Sequence, residues 1–304
     1  MLAMTTTQAF WVLDYDAANA WQIDCGKGVY YGISFWNEHL YVAARQARIG
    51  GNKDEQDNVI LCYRDDLRFD RMIKPPKPIR DVHQITTADG VLYVASTYDD
   101  EIACYDIEKD DWIFWQPFEP YLGIGLDAHH INSIFITAGE IFLTGFGPKA
   151  KGWVARFERS TRKLIIRQDL GTETHNVWLD GGVIHVCSSI DCAILREDHQ
   201  SHPLLPHAWA RGYCADGDRR FVGASENLTR SDRAFSDCRV LELDKNYKYT
   251  GAVWLRGFGM LHDLRSIDLP DAMSHNGQAF ALKRGSLHQR FVKHTLSRSA
   301  GRFR

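Results

Sequence analysis

The chain has 304 residues, of which 44% are apolar and 12% aromatic, spread along its length in a quantity that supports a sizeable core. A formal charge of −3 excludes a global attraction to nucleic acid or to an anionic membrane. The seven cysteines form no Cys-x-x-Cys pair and fall mostly inside apolar runs, no basic and apolar leader opens the chain, and no apolar run approaches the roughly 18 residues of a membrane span, so the expected setting is a reducing, cytoplasmic one.

In chain order, the first predicted strand is Phe-Trp-Val-Leu-Asp-Tyr-Asp at 10–16. A β-like run then begins near Tyr31-Gly32, a second at 39–44, and a third, Val-Ile-Leu-Cys-Tyr-Arg-Asp-Asp, at 59–66. From here a phrase recurs with changes: Val82-His83-Gln84-Ile85, His130-Ile131-Asn132-Ser133, Thr174-His175-Asn176-Val177, Ala210-Arg211-Gly212-Tyr213 and Leu261-His262-Asp263-Leu264. Seven residues after His83 and His175 comes a glycine and a second run, Val-Leu-Tyr-Val-Ala-Ser-Thr or Val-Ile-His-Val-Cys-Ser-Ser. Third runs follow at 101–106, 153–158, 192–197 and 239–244, alternating in polarity as half-buried strands do.

Anchors at 31, 83, 130, 175, 211 and 262 lie 52, 47, 45, 36 and 51 residues apart, the length of a four-stranded propeller blade. The unit after His262 lacks a clear second run, and the N-terminal strand 10–16 supplies its missing outer strand. The expected fold is all-β: a six-bladed β-propeller spanning 1–282, closed by N-terminal strands joining the last blade, which removes exposed sheet edges. Residues 283–304 carry seven Lys or Arg and no acid, and read as a basic, solvated tail.

In such a fold the anchors line one mouth of the central channel as a ring of Tyr31 or Gly32, His83, His130, His175, Arg211 and His262. Converging neutral imidazoles are ligands for Fe, Zn, Cu or Mn, so His83, His130, His175 and His262 are the expected metal residues, wholly or as three ligands plus a base. Asp81, Asp127, Glu173 and Asp263 are placed to hold their second nitrogens. His129 competes with His130 for the ring position, since Asp127-Ala-His129 matches Asp81-Val-His83. Arg211 is suited to a carboxylate or phosphate, and the long polar insertion 224–237 adds Glu226, Arg230 and Arg233; the expected substrate residues are Arg211, Tyr31, Glu226 and Arg230. No Gly-x-Gly-x-x-Gly, phosphate loop, Gly-x-Ser-x-Gly or His-Glu-x-x-His motif is present, so nucleotide binding and serine hydrolysis are unsupported.

These phrases, together with Val222-Gly-Ala-Ser-Glu-Asn-Leu-Thr-Arg, resemble a poorly characterised bacterial family of conserved hypothetical six-bladed β-propellers from about Gly28 to Asp268. More distantly, they resemble the NHL, strictosidine-synthase-like and SMP-30 propellers. The resemblance implies the fold. Lactonases of the SMP-30 kind hold their metal mainly through carboxylate and amide oxygens, which this ring does not reproduce, so their activity is not carried over. Four-histidine carotenoid oxygenases and peptide amidating lyases show that histidine rings at this place in a propeller do chemistry. The expected function is a metal-dependent enzyme, a lyase, isomerase, hydrolase or oxygenase, acting on a small anionic substrate at the ring. The alternative is a metal-free propeller that binds a ligand or protein without catalysis.

Overall fold

Apolar residues recur every second position along the predicted runs, and each run pairs antiparallel with its neighbour, so that successive strands build six separate sheets. The computed structural model describes residues 1–46, 56–118, 127–229, 231–270, 273 and 279–300. Blade 1 comprises Val29–Trp36, His39–Arg45, Val59–Tyr63 and Phe69–Ile73; blade 2, Val82–Ala88, Val91–Ser96, Glu101–Asp106 and Asp111–Trp115. Blade 3 comprises Ser133–Ile136, Glu140–Phe146, Lys151–Glu158 and Leu164–Thr172; blade 4, Thr174–Asp180, Val183–Ser188, Ala193–Arg196 and Ser201–Pro203. Blade 5 runs from Ala208–Asp216 through Arg219–Glu226 and Cys238–Leu243 to Tyr249–Leu255. The protein is a six-bladed β-propeller.

Blade 6 is built from both ends of the chain. Its inner strand is Leu261–Ser266, and Leu2–Thr6, Ala9–Asp14 and Asn19–Cys25 follow outward. The second strand that the sequence left unclear is therefore Leu2–Thr6, with Leu2 opposite Ser266 and Met4 opposite Leu264. Blades meet through their apolar faces: Trp178 of blade 4 stacks on Tyr213 of blade 5 with ring centroids 3.8 Å apart.

The basic C-terminal segment differs from a solvated tail. Val292–Thr295 adds a fifth strand to blade 6, and Ser297–Ala300 adds one to blade 5. Buried Phe280 and Leu287 anchor the segment in the core around Phe10, Trp21 and Tyr63. Its cations meet acids of the propeller, Lys283 with Asp65 at 2.6 Å, Arg290 with Asp66 at 2.9 Å and Arg298 with Glu242 at 3.4 Å. A basic stretch without acids is thus complementary to acidic blade edges, and each exposed pair contributes on the order of 0–1 kcal/mol.

Candidate functional site at the channel mouth

Ladder pairing breaks at the same place in five of the six inner strands. The register shifts across Tyr31-Gly32, His83-Gln84, Asn176, Gly212 and His262, and the described inner strand of blade 3 begins just beyond its own anchor. A bulge leaves a residue unpaired and re-aims its neighbours, so the ring side chains turn out of the sheet into the channel.

The residue one or two positions after each anchor joins one blade to the next. Gln84 accepts from the Ile134 amide at 2.8 Å, Asn132 donates to the Thr174 carbonyl at 2.9 Å, Asn176 accepts from the Gly212 amide at 2.7 Å, and Asp263 accepts from the Ile33 amide at 2.9 Å. Where this residue is glycine, backbones pass too closely for a side chain: a Cβ on Gly32 would lie 2.3 Å from the Ile85 nitrogen. These joints were not anticipated. Their signal was the recurring amide, acid or glycine after the anchors.

Asp263 therefore does not hold His262. It forms a buried ion pair with Arg265 at 2.5 Å and caps the Ile33 and Leu264 amides, and burial raises its carboxyl to about 6 against the opposing pull of Arg265.

His83 and His175 share one clamp. Asp81 and Glu173, each two residues upstream, take left-handed backbone (φ 54° and 46°), and their carbonyls each accept from the imidazole Nδ1 at 2.8 Å. Thr97 and Ser189, each fourteen residues downstream, lie 2.8 and 2.9 Å from the same nitrogens. Both hydroxyls already donate to a carbonyl of the next blade, Ile131 at 2.6 Å and Ala210 at 2.9 Å. Carbonyl and hydroxyl are both acceptors here, so Nδ1 carries the proton and Nε2 keeps its lone pair. Burial drives both rings well below the ordinary imidazole value, with Arg211 adding to the effect, so they are neutral. The expected second-nitrogen partners are thus backbone carbonyls rather than the Asp81 and Glu173 carboxylates; Asp81 instead pairs with Arg45.

His130, not His129, joins the ring. Its imidazole lies 5.4 Å from that of His83 and 4.0 Å from Phe146, and its Nδ1 meets the Asp127 carboxylate at 2.7 Å. His129 faces away, against Phe118 and the Arg167 guanidinium. His262 is used differently from the other three. Its Nδ1 accepts from Arg211 Nη1 at 3.5 Å and its Nε2 lies 3.3 Å from the Thr7 hydroxyl, so both nitrogens have partners. Tyr31 stacks on it at 4.1 Å and carries the Arg45 guanidinium on its ring at 4.2 Å.

Arg211 is buried, and no acid pairs with it among the described residues. Burial lowers its pKa to about 10, with Arg233 and Arg45 adding to the effect and Tyr31 and the Glu173 carboxylate opposing it. Arg233 shares the Trp209 ring with it, at 5.3 Å against 5.8 Å. Glu226 is exposed and bonds within its own loop, accepting from the Asp237 amide, rather than joining the ring. Arg230 lies outside the described residues.

Among the described residues, no three ring histidines bring potential ligand atoms within 4.8 Å of one another. The set that does is His39, Cys62 and Asp70 on the outer part of blade 1. There Asp70 is paired with Arg64 at 2.7 Å, and burial pushes the Cys62 thiol up to about 12 beside Arg71, which disfavours a bound cation.

No protein-family model and no curated protein sequence matches this chain. Solved structures match its fold. A chain of the nidogen/laminin complex shares 10% identity over 86% of this chain and 96% of its own, with a TM-score of 0.62. A streptogramin B lyase structure matches at 10% identity over 86% of this chain and 96% of its own, with a TM-score of 0.49. Kuenenia stuttgartiensis hydrazine synthase matches at 12% over 81% and 76%, with a TM-score of 0.47. At these identities the likeness is one of fold alone.

Proposed function

We propose that the channel mouth is the active site of an enzyme acting on a small anionic molecule, anchored by Arg211. The observation that carries this reading is a buried guanidinium with no acidic partner among the described residues. A buried charge without an acid in direct contact costs several kcal/mol, and a ligand that brings the opposite charge to it offsets that cost. The guanidinium has five N–H donors, and His262 takes one, leaving donors for a carboxylate or phosphate. Beside it the bare Nε2 atoms of His83 and His175 are proton acceptors, as lyase, isomerase and hydrolase chemistry requires.

A divalent transition metal, Fe, Zn, Cu or Mn, is the second reading. It is favoured by the shared clamp, because an imidazole with Nδ1–H held and Nε2 bare is in the form that ligates metals. His83, His130 and His175 would be its ligands only after their rings close on one point, since their ligand atoms do not lie within 4.8 Å of one another, with the anion completing the shell and oxygenase chemistry added to the range. His262, with both nitrogens engaged, leaves the set.

Calorimetric titration of the full chain with glutarate and with inorganic phosphate, alongside elemental analysis, tests both readings. Arg211→Met should weaken anion binding ~30- to 1000-fold, equivalent to about 2–4 kcal/mol, with any metal content unchanged. Equal affinity in the two proteins overturns the anchor. One equivalent of metal, lost in His83→Ala/His175→Ala, selects the metal-dependent form. A metal-free binding propeller predicts that ligands bind without regard to Arg211.

A further inference from the structure

A cavity of about 20 Å³ lies among the ring residues and the joints beneath them. Four buried polar atoms that lack a partner among the described residues belong to side chains lining it: Gln84 Nε2, Asn132 Oδ1, His175 Nε2 and Arg211 Nε. All four side chains are more than nine-tenths buried. Gln84 presents its oxygen to the Ile134 amide, so its NH₂ is the group left over. Asn132 spends its NH₂ on the Thr174 carbonyl, so its oxygen is left over. His175 has its proton on Nδ1, so Nε2 is an acceptor. Arg211 Nε is always a donor.

These four atoms are two donors and two acceptors, and His83, whose Nε2 is also bare, lines the same cavity. A cation would face the Gln84 and Arg211 N–H groups, and a bare anion would face the Asn132 oxygen and the His175 lone pair. The occupant that matches both pairs donates two hydrogen bonds and accepts two, which is water. A volume near 20 Å³ exceeds the roughly 10–15 Å³ that one water needs.

We propose that this cavity holds a single reactive water and that His175 is the base that takes its proton, which makes hydrolysis of an ester-bearing anion the chemistry of the mouth. The inference rests on the anion-anchoring reading, since Arg211 then holds the substrate with its Nη groups and the water with Nε. As the water gives up the hydrogen bond it accepts from Gln84 Nε2, the lone pair so freed bonds to the carbonyl carbon, the C=O electron pair moves to the carbonyl oxygen and the water proton passes to His175 Nε2. The imidazolium that forms keeps its Nδ1–H on the Glu173 carbonyl and the Ser189 hydroxyl. When the carbonyl reforms, the C–O bond to the alcohol breaks and Nε2 returns the proton to the leaving oxygen. The products are a carboxylic acid and an alcohol, and no oxidant or reductant is involved.

Two measurements on the full chain test this. Crystals that reveal ordered solvent should show one oxygen within about 2.7–3.2 Å of all four atoms. Anomalous scattering from a metal at His175 Nε2, or the four side chains turned to bond one another, overturns the water site. For the base, mono-(4-nitrophenyl) glutarate is the substrate probe and glutarate the binding probe. His175→Gln should slow ester hydrolysis by about 100-fold or more while glutarate affinity stays within twofold. Equal rates in the two proteins overturn His175 as base. Glutarate binding that persists in that case leaves the Arg211 anchor standing, whereas its loss in wild type means the anchor itself has failed.

Discussion

The two sides of the ring treat their imidazoles in opposite ways. On blades 2 and 4, His83 and His175 are clamped by a carbonyl and a hydroxyl so that each presents a bare nitrogen to the channel. On blades 5 and 6 the group at the channel is a cation, Arg211, and His262 is turned to serve it, accepting from the guanidinium on one nitrogen and meeting Thr7 with the other. Repetition of a blade supplies equivalent positions, but the hydrogen-bond partners behind each position decide whether it acts as acceptor or donor. The mouth thereby acquires an accepting side and a donating side, which is what binding and turning over a polar anion needs.

The largest expected effect comes from removing the acid that supports the donor side. Asp263→Ala leaves fully buried Arg265 without its carboxylate and takes the joint away from Ile33, so unfolding in urea should show a loss of about 3–5 kcal/mol. A loss below about 1 kcal/mol would mean that the pair adds nothing beyond packing.

Arg211→Met should act in the opposite sense on stability. Because the guanidinium is buried without an acid, replacing it with an apolar side chain of similar length should leave the melting point unchanged or raise it by the equivalent of ~1–3 kcal/mol, even as anion binding collapses. A clear drop in melting point would show that Arg211 bridges blades instead.

Acid should weaken the protein through the imidazoles. His83, His175 and His262 titrate well below 6.5 in the folded chain, burial being the first cause, whereas in the unfolded chain they titrate near 6.5. Below that value the unfolded state binds more protons than the folded one. Stability is therefore full above about pH 6.5 and falls as pH drops through it, by up to ~1.4 kcal/mol per pH unit for each histidine. Melting curves between pH 7.5 and 5 should show this slope, and His83→Gln should lessen it. A slope identical in the variant would remove His83 from the account.

The smallest effects separate the two kinds of support. Ser189→Ala should cost about 1 kcal/mol by removing the hydrogen bond to the Ala210 carbonyl, while the Glu173 carbonyl keeps the proton of His175 on Nδ1. Thr7→Val should cost less, since its contact to His262 is long at 3.3 Å. Imidazole ¹⁵N shifts report the tautomer in both; a switch to the Nε2–H form at His175 would contradict the clamp.

Much of this was legible in the sequence. Blade length, anchor spacing and the closing role of the N-terminus followed from alternation and recurrence. Leu2–Thr6 was not legible as the second strand of a blade, because the inner strand it pairs with begins at Leu261, more than 250 residues away, so the hairpin it makes with Ala9–Asp14 lacks the anchor that opens every other blade. The C-terminal strands were hidden for a similar reason: their charges are matched by acids on other blades. The ring positions could be read from the phrase, but not which nitrogen each imidazole presents, since that depends on carbonyls aimed by left-handed residues at 81 and 173. Part of the signal was on view, because Thr97 and Ser189 end the second runs at equal distance from His83 and His175. What concealed the divergence of His262 is that Thr7 and Arg211 reach it from opposite ends of the chain.

The most direct test of the anion site is a crystal structure of the full chain grown with glutarate. The account predicts one carboxylate of the ligand within about 2.7–3.0 Å of the Arg211 guanidinium, on the side of the ring that faces His83 and His175. A carboxylate bound elsewhere while Arg211 contacts only protein groups would contradict it.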